Sequence, residues 1–263
     1  MSNMSDLNRT CGAPLERVRY FPRQLLTADD LTAEQDYYRE KMRRHNRYLH
    51  GWGVVCGCSV EAVADSDGWQ VRVTPGYAVS PAGDDIQIVD PVVVDLRLGV
   101  ENAPCTVAPS CPPLGYTPAP PADTTVAYIA VRYAECYARP VRVHPAGCGC
   151  DETGCEYSRV RETFEVRVLW QLPDSHRNAA QDDRRWCEQL RAALEEQKVL
   201  SFPVPSCPEC SDDPWVVLAT VAVPEAKDKK PTDKGDGTPQ ISYKDRRVLL
   251  SAQRLQVALL CSR

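Results

Sequence analysis

The residues best suited to chemistry in this chain are cysteines in two short clusters. Cys148, Cys150 and Cys155 lie in CGCDETGC, and Cys207 and Cys210 form CPEC. A CxxC pair aims two thiolates at one ion, and a second cluster can complete the tetrahedral four-sulfur shell that structural zinc prefers. Five thiols are available for four ligand places, and the clusters would meet at one end of a sheet if the strands at 158–171 and 215–223 were neighbours. The CxC spacing of the first cluster is irregular for zinc, so disulfides and unligated thiols stay as competing readings. His144, just before a proline, reads as a loop residue ahead of a substitute ligand.

The sequence holds thirteen cysteines in all. Its first residues lack the apolar core of a signal peptide, and no apolar run approaches the roughly twenty residues of a membrane span. The expectation is therefore a chain that starts in the cytoplasm, where thiols stay reduced. The cysteines then read first as buried small residues or metal ligands, and second as disulfides formed after release from the cell.

Other strings imitate active sites. GWGVVCG looks like a dinucleotide-binding glycine loop, yet it follows a helix and enters a strand, the reverse of the order that sets a pyrophosphate on a helix N-terminus. DSDG at Asp65–Gly68 starts like a calcium loop and lacks the later ligands. Cys56 with His50 is the local nucleophile–base pair, but a helix end and an apolar strand point to burial. The acidic pairs at Asp29, Asp84 and Asp182 sit at helix starts or turns, where carboxylates satisfy free amides. No catalytic or cofactor-binding residue is assigned, and the chain reads as a non-enzyme.

The elements that would position these residues are clearer. Thr27 can cap a helix, Asp30 completes its first turn, and Gly51 can end it after His50. That gives about twenty residues, roughly 30 Å. Leu31, Tyr38, Met42, His45 and Leu49 recur near helical spacing and form the stripe expected to pack, with arginines elsewhere around the axis. Val54, Cys56, Cys58, Val60 and Ala62 then alternate like one strand with a buried face. Trp69–Val73, Tyr77–Val79 and the run around Ile86 and Ile88 follow, separated by Pro-Gly and Pro-Ala-Gly turns. Further on, Ala127, Ile129, Val131 and Tyr133 share a face, and Phe164, Val166, Val168 and Trp170 make the cleanest strand. A helix from about Arg177 to Lys198, the apolar strand WVVLATVAV and a short helix from Ser251 to Leu260 close the chain. The charged strand residues Arg159, Arg161, Glu165 and Arg167 read by default as a solvated face.

The words LLTADDL, EQDYY, HNRYLHGWGVVCG and VTPGYAVSPAGDDI, with VRYAE, RPVRV, SRVRETFEV and WVVLATVAV later, resemble an attachment module of phage tail-fibre and baseplate proteins and of bacterial contractile injection systems. Each word is a packing or turn motif, so it speaks for fold more than for function. The position of Cys58 is more often leucine in that family, a change confined to core packing. The resemblance implies a structural subunit at a baseplate or fibre base, assembled in the cytoplasm into a phage-tail-like particle that can be released. Its partners would be other baseplate and tail proteins and copies of itself.

The fold expected is α+β and β-rich: a long N-terminal helix and an antiparallel meander, then a second antiparallel lobe with one inserted helix and a cysteine-rich zinc site. Residues 1–19 form an arm, 20–100 the anchoring domain, 101–123 a linker with seven prolines, and 124–263 the second domain, with a mobile charged loop at 225–240. A net charge of -5 without basic runs argues against nucleic acid or anionic membrane. A receptor-binding or adhesive fibre domain is the second reading and a zinc hydrolase the third.

Overall fold

A computed structural model describes residues 14–63, 69–96, 126–143, 154–195, 207–208, 211–222 and 239–261. The first helix starts as its capping box requires. The Asp30 amide donates to Thr27 Oγ1 at 3.2 Å, and the Thr27 amide donates to Asp30 Oδ2 at 2.9 Å. Helix α1 spans Ala28–His45 and widens into a π-helical turn, Asn46–His50, that Gly51 ends at φ 79°. This matches the expected extent of Thr27 to His50.

Six short strands follow: β1 (Gly53–Gly57), β2 (Val60–Ala62), β3 (Gln70–Val73), β4 (Gly76–Val79), β5 (Asp85–Ile88) and β6 (Val92–Asp95). They pair antiparallel as β1-β4-β5 and β2-β3-β6. Physically these are three long strands, each bent in the middle. Gly57 and Cys58 make the first bend at φ 59° and 52°, and Pro75 and Pro91 sit at the others, where a missing N–H is tolerated. Hydrogen bonds cross the bend, Cys58 N to Pro75 O at 3.1 Å and Thr74 N to Ser59 O at 2.8 Å. The single alternating strand expected over 54–62 is therefore corrected. The bend turns Cys56 out to solvent and keeps Cys58 inside, where burial pushes its thiol up to about 11.

The second sheet is built on a long hairpin, β7 (Val126–Val143) with β8 (Gly154–Leu169). Helix α2 (Asp174–Glu195) returns the chain to β9 (Val216–Ala222), then come β10 (Ile241–Ser242) and α3 (Ala252–Cys261), and the sheet order is β10-β9-β7-β8. Ala127, Ile129 and Val131 point inward beside Val166 and Val168, as their spacing predicts. They join Val54, Val71, Ile86, Val94 and Leu218 in one continuous apolar cluster, so both strand-rich segments share a core. The proline-rich segment 101–123, the turn at Asp65–Gly68 and most of 225–240 lie outside the described residues.

Residues 243–249 run between the two sheets and tie them. Val54 N donates to Arg247 O at 2.9 Å, Leu249 N donates to Val54 O at 2.9 Å, and Tyr243 Oη donates to Val60 O at 2.9 Å. His176, in the first turn of α2, completes the joint. Its Nε2 accepts from Val217 N at 3.0 Å, which leaves Nδ1 to donate to Asp245 O at 3.1 Å, and the Trp52 ring meets it edge-on at 4.7 Å. The imidazole must be neutral to do this.

Burial pushes the His176 pKa down from 6.5 to about 4, the Asp245 carbonyl opposes that shift, and the Arg247 charge adds to it. A depressed histidine contributes stability above its unfolded pKa and loses it as pH falls towards its folded one. Unfolding free energy should therefore drop by about 3 kcal/mol between pH 7 and pH 4 through this group. Denaturant titrations at both pH values, run beside His176→Gln, should show this increment missing from the variant.

Candidate functional site

The turn between β4 and β5 is built to receive a helix. Ser80 N donates to Asp84 O at 2.9 Å, Asp84 N donates to Ser80 Oγ at 2.9 Å, and Gly83 N donates to Ser80 O at 2.8 Å. Gly83 holds φ 93°, and a Cβ there would lie 2.2 Å from the Arg43 carbonyl oxygen. Only glycine lets α1 come so close. Against this turn the helix presents polar side chains. Arg43 Nε donates to Asp84 Oδ1 at 2.5 Å, with both residues buried. Asn46 Nδ2 donates to Gly83 O at 2.9 Å and Asp85 Oδ1 at 3.1 Å. Arg47 Nη1 reaches Ala82 O at 3.4 Å.

The stripe expected to pack is thereby overturned. Leu31, Tyr38, Met42 and Leu49 are 51, 58, 55 and 69 % exposed, and His45 is exposed as well. The turn offers carbonyls and a carboxylate, which arginine and asparagine satisfy and leucine does not. Helical periodicity correctly found a stripe and assigned it to the wrong side. Tyr20, Phe21, Leu25 and Leu26, just before the helix, are exposed too.

A cleft of about 370 Å³ opens between α1 and the β7–β8 ribbon, lined by Gln35, Arg39, Met42 and Asp84 on one side and Tyr133, Glu135, Val160 and Glu162 on the other. Arg39 bridges it, donating to Glu135 at 2.7 Å and Asp36 at 2.8 Å. Tyr133 donates to Glu135 at 2.8 Å and Tyr77 to Asp85 at 2.6 Å. Burial first, and these carboxylates next, push both phenols upward, so they stay protonated donors. Among the described residues that line it there is no Ser, Cys or His, and its charged groups suit it to binding charge.

The predicted metal ligands are not brought together among the described residues. Cys148, Cys150 and Cys210 lie outside those residues, and Cys207 is an exposed free thiol. The strands expected to be neighbours are not: β7 lies between β8 and β9. Cys155 pairs with Arg142, eleven positions beyond the Val131–Val216 pair, or about 37 Å along the ribbon at strand spacing. Among the described residues no group of three or more His, Cys, Asp or Glu is placed to hold an ion. Cys136, by contrast, is disulfide-bonded.

The remaining candidates divide. His50 stacks edge-on against His45 at 5.2 Å. Arg159 and Arg161 are solvated as expected, whereas Glu165 is 7 % exposed, bonded to Arg132 at 2.6 Å and to Arg167. Both guanidiniums lie over Trp215, at 5.0 and 5.3 Å. Asp84 proved to be a buried ion-pair partner, and Asp183 binds Arg247 at 2.5 Å. Single residues at wide sequence separation, such as Arg43 with Asp84 or His176 with Asp245, carry no local signal; the positive-φ demand at Gly83, inside a PAGDD turn, was the one visible hint.

No family model matches this chain, and no curated protein does. Among solved structures, a crystal structure of TssK superposes with a TM-score of 0.37 at 9% identity, covering 87% of this chain and 41% of that one. The chain thus spans less than half the length of that structure, and a superposition at this level carries no argument about function.

Removing the Asp84 carboxylate strands a buried guanidinium. Asp84→Ala should cost about 3–5 kcal/mol, read by denaturant unfolding, whereas Leu49→Ala should change stability by under about 0.5 kcal/mol. Alkylation of unreduced, denatured protein followed by peptide mass spectrometry should label Cys56, Cys58, Cys187 and Cys207 and leave Cys136 unlabelled.

Proposed function

We propose that this chain is a non-enzymatic structural subunit of a phage-tail-like contractile injection particle, placed at the baseplate or at the base of a fibre. The observation that carries an assembly role is the orientation of α1. Its polar side is clamped by a buried ion pair, and Leu31, Tyr38, Met42 and Leu49 on another side are left in solvent. Exposed apolar surface of this kind, rimmed by charge, marks protein–protein contact. The particle itself is supported by the resemblance of the LLTADDL to VTPGYAVSPAGDDI words to attachment modules of such systems. The partners are other baseplate and tail proteins, and the site of assembly is the cytoplasm. Structural zinc at the cysteine clusters belongs to the same reading and is tested by metal analysis of reduced, folded protein.

Antibody-gold labelling of purified particles should mark one end of the tube. Leu31→Glu with Leu49→Glu should leave unfolding within about 0.5 kcal/mol per site yet abolish that label. Particles that never carry the chain, or a purified chain that turns over a small molecule, would sink the reading.

A further inference from the structure

The segment before α1 has a composition that its own surroundings do not use. Arg17, Arg19 and Arg23 are exposed, and none has a charged partner among the described residues. Between them Tyr20 is 47 %, Phe21 58 % and, just beyond, Leu25 85 % exposed. A strip that is both basic and apolar, turned at Phe21–Gln24 where Arg23 holds φ 71°, is poorly placed in water. Its side-chain tie to its own helix is the Tyr20 hydroxyl on Glu34.

The cleft has the opposite chemistry. Asp36, Asp84, Asp85, Glu135 and Glu162 face two guanidiniums, Arg39 and Arg43. Arg43 is committed to Asp84, and Arg39 to Asp36 and Glu135. Asp85 is left with neutral donors, Tyr77 and Asn46, and Glu162 has no partner among the described residues. The lips are apolar and exposed: Met42 on the helix and Val160, at 51 %, on the ribbon. Cationic side chains flanked by apolar ones fit such a groove, with charge fixing register and apolar area supplying affinity.

We propose that the strip Arg17–Leu26 of one copy docks in the α1–ribbon cleft of a second copy of this chain. This deepens the assembly reading and rests on it. The chain's own cleft is out of reach while Tyr20 holds Glu34, because Glu34 and Arg39 are separated by about 140° around the helix axis. A contact between two different surfaces of identical chains is head-to-tail, and it closes into rings or extends into rows.

The test is sedimentation velocity on the full chain from about 1 to about 100 μM, in low and high salt. Self-association is expected, weaker in high salt because charge steers it. Glu162→Lys, and separately Arg17→Glu with Arg19→Glu, should each weaken it at least about tenfold; both sites are exposed, so the fold survives. Mixing the two variants should restore association, since a reversed strip then meets a reversed cleft. A chain that stays monomeric throughout, or one whose association ignores both reversals or is not restored on mixing, overturns the proposal. A monomeric chain that still labels the particle end removes this contact and leaves the assembly role standing; a self-associating chain absent from particles does the reverse.

Discussion

The buried pair of Arg43 and Asp84 governs what this molecule shows to its surroundings. Taking both charges out of water is costly, and the cost is offset because the geometry is close and Ser80 Oγ donates a further hydrogen bond to the carboxylate. The pair can form because Gly83 has no side chain where the helix backbone passes. Once it forms, the rotation of α1 about its axis is set. A leucine stripe that would otherwise be core is turned outward, and the Gln35–Met42 flank becomes one wall of a cleft.

The same physical device recurs between the two sheets. His176 gives one nitrogen to a strand amide and the other to the Asp245 carbonyl. The Tyr243 hydroxyl both donates to and accepts from the backbone of Val60. Apolar burial brings the sheets together without direction, and these polar contacts select one relative placement, since leaving any of the groups unpaired in the interior would be penalised. At these joints backbone groups of both sheets are satisfied by side chains.

Much of the element plan was legible in the chain. The capping box at Thr27–Asp30, the glycine stop at Gly51 and the alternation of Phe164, Val166 and Val168 are local signals, and each acts within a few residues of itself. The α+β architecture followed from them. The side of α1 that would be buried was not legible, because periodicity reports that a stripe exists and is silent on what lies opposite. The bend at Cys58 was missed for a related reason: alternation continues through it, while the backbone turns.

By itself, then, the sequence determined which segments become helix or strand and how α1 starts and stops, since propensities, caps and turn chemistry are properties of neighbours. Tertiary structure alone decided that β7 separates β8 from β9, that Asp84 belongs to Arg43, and that the apolar stripe faces water. Those outcomes depend on groups dozens of residues apart competing for the same buried space, and no local pattern records who wins.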